Sequence, residues 1–319
     1  MARGTLITDT WSRRRAWPSL EVVMVMTSVL AAGLSAASIW MVDPVSVDAA
    51  PAVEVEPKVM TGSLDAGVYA GRQPDQDVVV VSPLLQLGVR ARPEVELGLS
   101  MGVVSLSANR RDTGPVRASA PSNFVFGTRW IRDGVGDRHH GYLGFAFSLP
   151  TSFEVGADVR EANRYARASR GGLDPWQWSP TTMGVIVPVG WSVRGRWFDV
   201  GADGALGGLF SAGGDLDDPG FVGQVRGTAA AHIARVRLGG SLAAVYNGRD
   251  DLGPLQTSVN PFAELALCAR EKVAVCGAHL HAGASVNLDA PYGFGPDGMR
   301  VWGMQFGLRW ALRDIPDGA

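Results

Sequence analysis

The sequence has few charged residues and, after its N-terminal segment, no long apolar run. Only 19% of the 319 residues are charged and the formal net charge is −2, whereas about a quarter of the residues in water-soluble domains are charged. No later stretch reaches the ~18 consecutive apolar residues that indicate a membrane-spanning helix. These shortages argue against a nucleic-acid-binding surface and against a polytopic helical membrane protein.

Catalytic motifs are also missing. The sequence contains no Gly-x-Ser-x-Gly elbow, no phosphate-binding glycine loop that ends in Lys-Ser/Thr, and no His-Glu-x-x-His helix. Gly201, Gly204 and Gly207 lie within a strand pattern, where glycine favours curvature rather than phosphate binding. We therefore predict no enzymatic activity and no cofactor.

Glycine and tryptophan, by contrast, are plentiful. The chain has 41 Gly and 10 Trp, and tryptophan is favoured where a protein surface crosses a membrane interface. Hydrocarbon offers no partner for backbone N–H and C=O groups, so only helices and closed sheets can span it. A membrane protein without spanning helices is therefore predicted to be a β-barrel.

The N-terminal segment resembles a signal peptide. Arg3 and Arg13–Arg15 precede an apolar stretch over residues 22–41, which small residues follow. Cleavage after Ala37 is one possibility and cleavage after Ala49 is the preferred one, which gives a signal peptide over 1–49 and a periplasmic tail over 50–61. The alternative is a retained membrane anchor, since the apolar stretch approaches the ~20 residues that a spanning helix needs.

Residues that alternate between apolar and polar or small recur along the rest of the chain. In the last candidate strand Gln305 and Arg309 share one face, and because side chains alternate between the faces of a strand, the other face is wholly apolar. That face comprises Trp302, Met304, Phe306, Leu308, Trp310 and Leu312. The pattern predicts an all-β, up-and-down antiparallel transmembrane barrel of about 12 strands. The predicted strands cover approximately residues 62–70, 77–91, 94–106, 122–132, 140–149, 181–192, 196–210, 220–232, 235–247, 256–269, 272–286 and 299–313.

The lengths of the connections alternate as well. Tight connections near 92–93, 194–195, 233–234 and 270–271 are separated by connections that are mostly longer and rich in Gly, Asp, Pro and Arg. In an outer-membrane barrel the short turns face the periplasm and the long loops face outward. The sequence thus predicts a barrel over 62–313 with a C-terminal extension over 314–319. A soluble periplasmic barrel that binds a ligand inside is the alternative.

Three segments carry a resemblance to a known class: the hairpin over 84–99, the segment Gly144–Thr151 and the final alternating strand. They resemble the outer-membrane transporter barrels that are encoded beside aromatic-degradation genes in Gram-negative bacteria. The resemblance implies an outer-membrane, porin-like channel or transporter for small solutes, hydrophobic ones included. Residues 313–319 depart from it, since such barrels commonly end on an aromatic residue. A structural or lipid-modifying barrel without transport is the alternative.

The expected partners are those of any outer-membrane barrel: outer-membrane lipid and lipopolysaccharide, the barrel-assembly machinery and an unidentified small solute, with no nucleic acid. Eight charged residues are predicted to line the lumen, where rings of charge set the ion preference of a channel. They are of both signs, so no strong selectivity follows. They are Arg90, Glu96, Asp199, Asp203, Arg226, Arg237, Glu264 and Arg309.

Glu264, His279 and His281 share the lumen face of one hairpin. Imidazole and carboxylate groups bind transition metals, so these three residues are a candidate metal site, with ordinary polar lining as the alternative. Cys268 and Cys276 flank the turn of the same hairpin and are a candidate disulfide in an oxidising compartment. Simple alternation places the two cysteines on opposite faces, so the bond requires a β-bulge.

The connection between Pro150 and Trp178 contains a candidate short helix over 161–167. We expect this connection to be an exposed extracellular loop. The alternative is that it folds into the mouth of the barrel as a constriction or plug.

Overall fold

The computed structural model of the protein is a closed antiparallel barrel of twelve strands with one additional strand. Closure is shown by β1 (Val59–Arg72), which pairs with both β2 (Gln76–Arg92) and β13 (Trp302–Arg313), and by β3 (Val95–Arg110), which pairs with both β2 and β5 (Phe124–Asp133). The structure describes residues 59–72, 76–133, 139–151, 156–212, 220–248, 255–267, 278–289 and 301–313. The predicted fold class is thus confirmed.

The strands follow one another around the barrel in chain order, apart from β4 (Gly114–Pro121), and a helix lies between β6 (His139–Leu149) and β7 (Thr182–Arg194). They are β1 (Val59–Arg72), β2 (Gln76–Arg92), β3 (Val95–Arg110), β4 (Gly114–Pro121), β5 (Phe124–Asp133), β6 (His139–Leu149), β7 (Thr182–Arg194), β8 (Phe198–Ser211), β9 (Gly220–Ile233), β10 (Val236–Asn247), β11 (Leu255–Ala266), β12 (His279–Asn287) and β13 (Trp302–Arg313), and the helix is α1 (Ala157–Ala168).

The two ends of the barrel differ in their connections. The turn end carries the start of β1, the end of β13, the tight turns at 93–94, 195–197 and 234–235 and the connections over 134–138 and 267–278. The long connection between β6 and β7 begins at the loop end, and the predicted tight turn at 270–271 lies outside the described residues. The first strand begins at Val59, three residues before the predicted boundary. The predicted signal peptide, most of the predicted tail and the C-terminal extension lie outside the described residues. Within the described residues, no helix is long and apolar enough to cross a membrane.

The additional strand β4 corrects part of the predicted strand order. Residues 107–121 were predicted to be a connection, but they contain the end of β3 and all of β4. The upper part of β3, Val103–Arg110, pairs with β4, and its lower part, Val95–Ser100, pairs with β5. The outward residues of this hairpin are polar, as at Ser105 and Ser119, whose hydroxyl oxygens lie 3.1 Å apart. Without an apolar outer face, the pattern did not indicate a strand.

Large apolar side chains cover the outer surface of the barrel. Leu242 is 65% exposed and Ile233 is 60% exposed, and the predicted outward residues Trp302, Met304 and Phe306 are all exposed. A soluble protein rarely exposes an apolar surface of this extent, so the surface disfavours the soluble alternative. It is the surface expected of a protein that lipid surrounds.

Aromatic side chains mark the turn end of this surface. Trp130, Trp191 and Trp197 are all more than half exposed. Trp130 and Trp191 lie within a few residues of the turn end of their strands, and Trp197 lies in the turn between β7 and β8. Tryptophan is enriched at the membrane–water interface because its ring is apolar and its N–H is polar. The three tryptophans therefore lie where an interface girdle is expected.

Candidate functional site

The segment between β6 and β7 folds into the lumen, so the prediction of an exposed extracellular loop was wrong. We call its described part, residues 156–181, the inserted segment. Its helix α1 covers Ala157–Ala168 and buries Ala162, Tyr165 and Ala166, and Trp176 is 1% exposed. Burial of these apolar groups favours the lumen over solvent. The predicted helix is present, and it is longer than expected.

The helix packs on the barrel wall formed by β1 to β4. Ala162, Ala166 and other helix residues share an apolar cluster with Val80, Leu84 and Val104 of the wall. The rings of Tyr165 and Tyr69 are stacked, with their centroids 5.5 Å apart. The helix is therefore held as a core element, by apolar contact over several strands.

Ion pairs fasten the helix at the loop end. The Arg110 guanidinium lies 2.8 Å from the Asp158 carboxylate and 2.5 Å from the Glu161 carboxylate. The Glu161 carboxylate also accepts a hydrogen bond of 2.9 Å from the Gln76 side-chain amide. These groups are partly exposed, so their contribution to stability is small beside that of the apolar cluster.

A buried arginine attaches the segment just after the helix. The Arg170 guanidinium donates to the Ser82 carbonyl oxygen at 2.5 Å and lies 3.4 Å from the Asp65 carboxylate. Asp65 and Arg170 are both almost fully buried. A buried charge is tolerated only when it is paired, so the two residues depend on each other.

The end of the inserted segment is bonded to the wall where β4 gives way to β5. The Asn123 side-chain amide lies within 3.0 Å of the carbonyl oxygens of Trp176, Ser179 and Thr182. The Ser148 hydroxyl donates to the Trp176 carbonyl oxygen at 2.9 Å. The Trp176 ring belongs to an apolar cluster with residues of β5 to β9. This end of the inserted segment is therefore part of the hydrogen-bond network and the apolar packing of the barrel wall.

The middle of the inserted segment reaches the remaining strands. Leu173 packs with Ala243 and Val245 of β10, and the Asp174 backbone N–H donates to the Gln224 side chain of β9 at 2.9 Å. Further contacts are made by Ser258 of β11, Asn287 of β12 and Gly303 of β13. The inserted segment thus contacts the wall around its whole circumference and fills the lumen at this level.

Beneath the inserted segment, toward the turn end, lies a cavity of about 210 Å³. Arg170, Leu173 and Asp174 of the inserted segment contribute to its lining. All eight residues predicted to line the lumen also line this cavity: Arg90, Glu96, Asp199, Asp203, Arg226, Arg237, Glu264 and Arg309. The alternation of the strands therefore assigned these side chains to the inner face.

The charges of the cavity are connected to one another. Arg237 donates to Asp199 at 2.8 and 3.0 Å and to Glu264 at 2.8 Å. Arg309 also donates to Glu264, and the Arg226 side chain donates to Asp203 at 3.3 Å. These contacts join strands β8, β9, β10, β11 and β13. Positively and negatively charged side chains therefore both line the cavity, and oppositely charged neighbours hold them in place.

Three arginines that line the cavity, Arg129, Arg170 and Arg194, were not predicted from the sequence. Arg129 pairs with Glu96, both almost fully buried, and it alternates with the outward Trp130, so strict alternation along β5 would have identified it. Arg170 belongs to the inserted segment, which has no strand alternation. Only its folding into the lumen brings Arg170 to the cavity.

Comparison with known proteins supports the architecture. No protein-family model and no curated protein matches the chain. A solved outer-membrane channel of Pseudomonas putida F1 is 12% identical with a TM-score of 0.52, over 86% of this chain and 100% of that chain. The NanC porin is 9% identical with a TM-score of 0.43, over 80% of this chain and 99% of the porin. The chain has the fold of a Gram-negative outer-membrane β-barrel. This fold and the exposed apolar surface agree with the predicted location in the outer membrane.

The candidate metal site of this outer-membrane barrel is occupied by ion pairs. The His281 ring lies 3.2 Å from the Glu264 carboxylate, but Glu264 also accepts from Arg237 and Arg309. Within the described ranges, no group of three or more His, Cys, Asp or Glu side chains is arranged to hold a metal ion. The alternative of a polar lining fits these contacts. Cys268 and Cys276 lie outside the described residues.

Proposed function

We propose that this outer-membrane barrel is a narrow channel or transporter for small polar solutes. The observation that carries the proposal is the charged cavity beneath the inserted segment. A barrel whose only task is structural has no need for a lumen that presents a dozen charged side chains to an open space. The fold similarity to an outer-membrane channel of Pseudomonas putida F1 supports the proposal.

The lining favours polar solutes over hydrophobic ones. Arginines 90, 129, 226, 237 and 309 line the cavity, together with the carboxylates that pair with them. A hydrophobic solute would separate these groups from water without replacing their hydrogen bonds, which is costly. A polar solute can offer such bonds in return. The expectation from the sequence included hydrophobic solutes, and the proposal is limited to polar ones.

The size of the barrel supports a narrow path. Barrels of about 8 strands are filled by side chains and barrels of about 16 strands leave an aqueous channel, and twelve strands lie between these limits. The cavity of about 210 Å³ has room for a small molecule. We propose that the turn end faces the periplasm and that lipid and lipopolysaccharide surround the apolar surface, after insertion by the barrel-assembly machinery.

A closed barrel without transport is the second candidate. It is favoured by the contacts of the inserted segment, which reach every strand of the barrel wall. The two candidates differ in one respect: a channel conducts with its native inserted segment, whereas a closed barrel conducts only after the segment has been removed.

Planar-bilayer recordings of the refolded chain distinguish these candidates. One variant has residues 157–175 replaced by a short Gly-Ser linker, with Trp176–Thr181 kept because Asn123 bonds to that stretch. The matched control replaces the exposed hairpin turn 111–113 in the same way. We expect small, salt-dependent conductance from the native chain and the control, and larger conductance from the variant. Conductance from the variant alone would support the closed barrel, and insertion without conductance in all three would contradict transport.

A further inference from the structure

The inserted segment is attached unevenly. We infer that a strap of five residues, Gly171–Pro175, is the moving gate of the barrel, while α1 and the stretch from Trp176 onward stay in place. The inference rests on the proposed channel function. It specifies which part of the inserted segment moves and on which side of the lumen the passage forms.

Two buried anchors bound the strap. Arg170 precedes it and holds Ser82 and Asp65 on one side of the barrel. Trp176 follows it and is packed in an apolar cluster on another side. Because each anchor is buried and bonded to the wall, movement between them leaves both neighbouring parts of the inserted segment fixed.

The strap is buried, but its apolar packing is small. Gly171 accepts a hydrogen bond from Ser258 at 3.0 Å, and two hydrogen bonds between Asp174 and Gln224 measure 2.9 and 3.2 Å. Its apolar contact is Leu173 against Ala243 and Val245. The cluster that holds α1 has thirteen buried members. Since apolar burial is the main source of packing stability, the strap is the part that separates from the wall most easily.

The backbone of the strap is suited to movement. The chain leaves the helix through a Schellman-type end, in which the N–H of Gly172 donates to the Arg167 carbonyl oxygen and the N–H of Gly171 donates to the Ala168 carbonyl oxygen. The φ angles of Gly171 and Gly172 are 73° and 79°. Glycine adopts several backbone conformations at little steric cost, so a hinge at this pair leaves the helix intact.

Movement of the strap would connect the cavity with the space at the loop end of the barrel. Leu173 and Asp174 are part of the lining of the cavity, and the wall behind them is formed by Gln224, Ala243 and Ser258 of β9 to β11. Withdrawal of the strap from these strands opens a passage from the cavity toward the loop end.

Reversible cross-linking tests the inference. Asp174 and Gln224 are both changed to cysteine, in a chain in which Cys268 and Cys276 have been replaced by alanine, and are joined by a short, reducible bifunctional methanethiosulfonate reagent. The matched control joins α1 to the wall through Gln76→Cys and Glu161→Cys, whose native side chains are 2.9 Å apart. A third variant, Leu173→Gly with Pro175→Gly, removes two side chains from the strap and carries no cross-link.

We expect the strap cross-link to abolish conductance and reduction to restore it, with conductance unaffected by the helix cross-link. Unchanged conductance with the strap joined would overturn the inference, and so would loss of conductance when only the helix is joined. If the cysteine-free parent does not conduct, the channel function fails and the gate fails with it. In a parent that conducts, higher conductance from the Leu173→Gly/Pro175→Gly variant supports a strap gate, and unchanged conductance overturns it. If the parent conducts and its conductance does not depend on the strap, the channel function is retained and only the proposed gate is ruled out.

Discussion

Gln177 takes the place of a strand neighbour for Asn123. The Asn123 backbone N–H donates to the Gln177 carbonyl oxygen at 2.9 Å, and the Gln177 side-chain amide donates to the Asn123 carbonyl oxygen. The Gln177 side chain also accepts from the Ser100 hydroxyl of β3 at 2.8 Å. The barrel wall is interrupted at Asn123, between β4 and β5, and the inserted segment supplies the missing hydrogen bonds. The segment is therefore part of the fold and not an appendage to it.

Asn123→Ala is expected to destabilise the barrel and loosen the end of the inserted segment. The substitution leaves the buried carbonyl oxygens of Trp176, Ser179 and Thr182 without the Asn123 amide, at a cost of about 1–3 kcal/mol for an unsatisfied buried group. Urea unfolding in lipid, with trypsin cleavage of the segment as a second readout, measures the effect. Asn109→Ala on the exposed face of β3 is the control, and equal stability of the two variants would contradict a bonding role for Asn123.

Leu99→Arg and Ser107→Arg are expected to differ although both residues lie on the outer face of β3. Leu99 lies among outward apolar residues such as Leu97 and Met101, and Ser107 lies above them in the polar hairpin with β4. Arginine near the middle of the lipid costs about 2–4 kcal/mol and near the interface about 0–1 kcal/mol. Refolding equilibria in lipid vesicles check this difference. A similar penalty at both positions would place the edge of the membrane elsewhere.

Gly303→Ala is expected to unseat the inserted segment. A Cβ at Gly303 would lie 2.0 Å from the Ser169 carbonyl oxygen, so the backbone of the segment must shift, and overpacking of this kind costs about 1–3 kcal/mol. Trypsin cleavage after the arginines of α1 should become faster. Gly227→Ala serves as the control because nothing lies within 4 Å of its Cβ position. Protection that is as strong as in the native chain would show that the wall yields instead.

Glu264→Gln is expected to make the lumen more selective for anions. Arg237 and Arg309 both donate to Glu264, and removal of its charge leaves these guanidinium groups facing the cavity with less compensation. Loss of one partner of a buried ion pair also costs about 3–5 kcal/mol of stability. The reversal potential across a KCl gradient measures the selectivity. Asp289→Asn removes a charge at the loop end, where Asp289 accepts from Thr257, and an equal shift in both variants would mean that Glu264 does not face the ion path.

Strand alternation alone established most of the barrel. The twelve predicted strands correspond to the twelve strands of the closed barrel, and the outward Trp302, Met304 and Phe306 are exposed as predicted. The reason is local: a strand with lipid on one side and a wet lumen on the other must alternate apolar with polar or small residues. The same rule assigned Glu96 and Arg237 to the inner face, where both line the cavity.

Outside this rule the sequence predicted the helix of the inserted segment, but not β4 and not the position of the segment in the lumen. β4 has a polar outer face beyond the apolar surface, so its alternation resembled that of a loop. The inserted segment is helix and turn, and its position depends on contacts distant in sequence, such as Arg170 with Asp65 and Asn287 with Ala168. No periodicity in a single segment encodes such pairings.

The sequence therefore determined the wall of this barrel and three-dimensional packing determined its lumen. Each strand records its two environments residue by residue, because neighbouring side chains point to opposite faces. Whether the lumen is filled depends instead on whether the connection between β6 and β7 lies outside the barrel or folds into it. The inward position is stabilised by buried contacts of α1, Arg170 and Trp176 with strands on all sides. These contacts exist only once the barrel has closed.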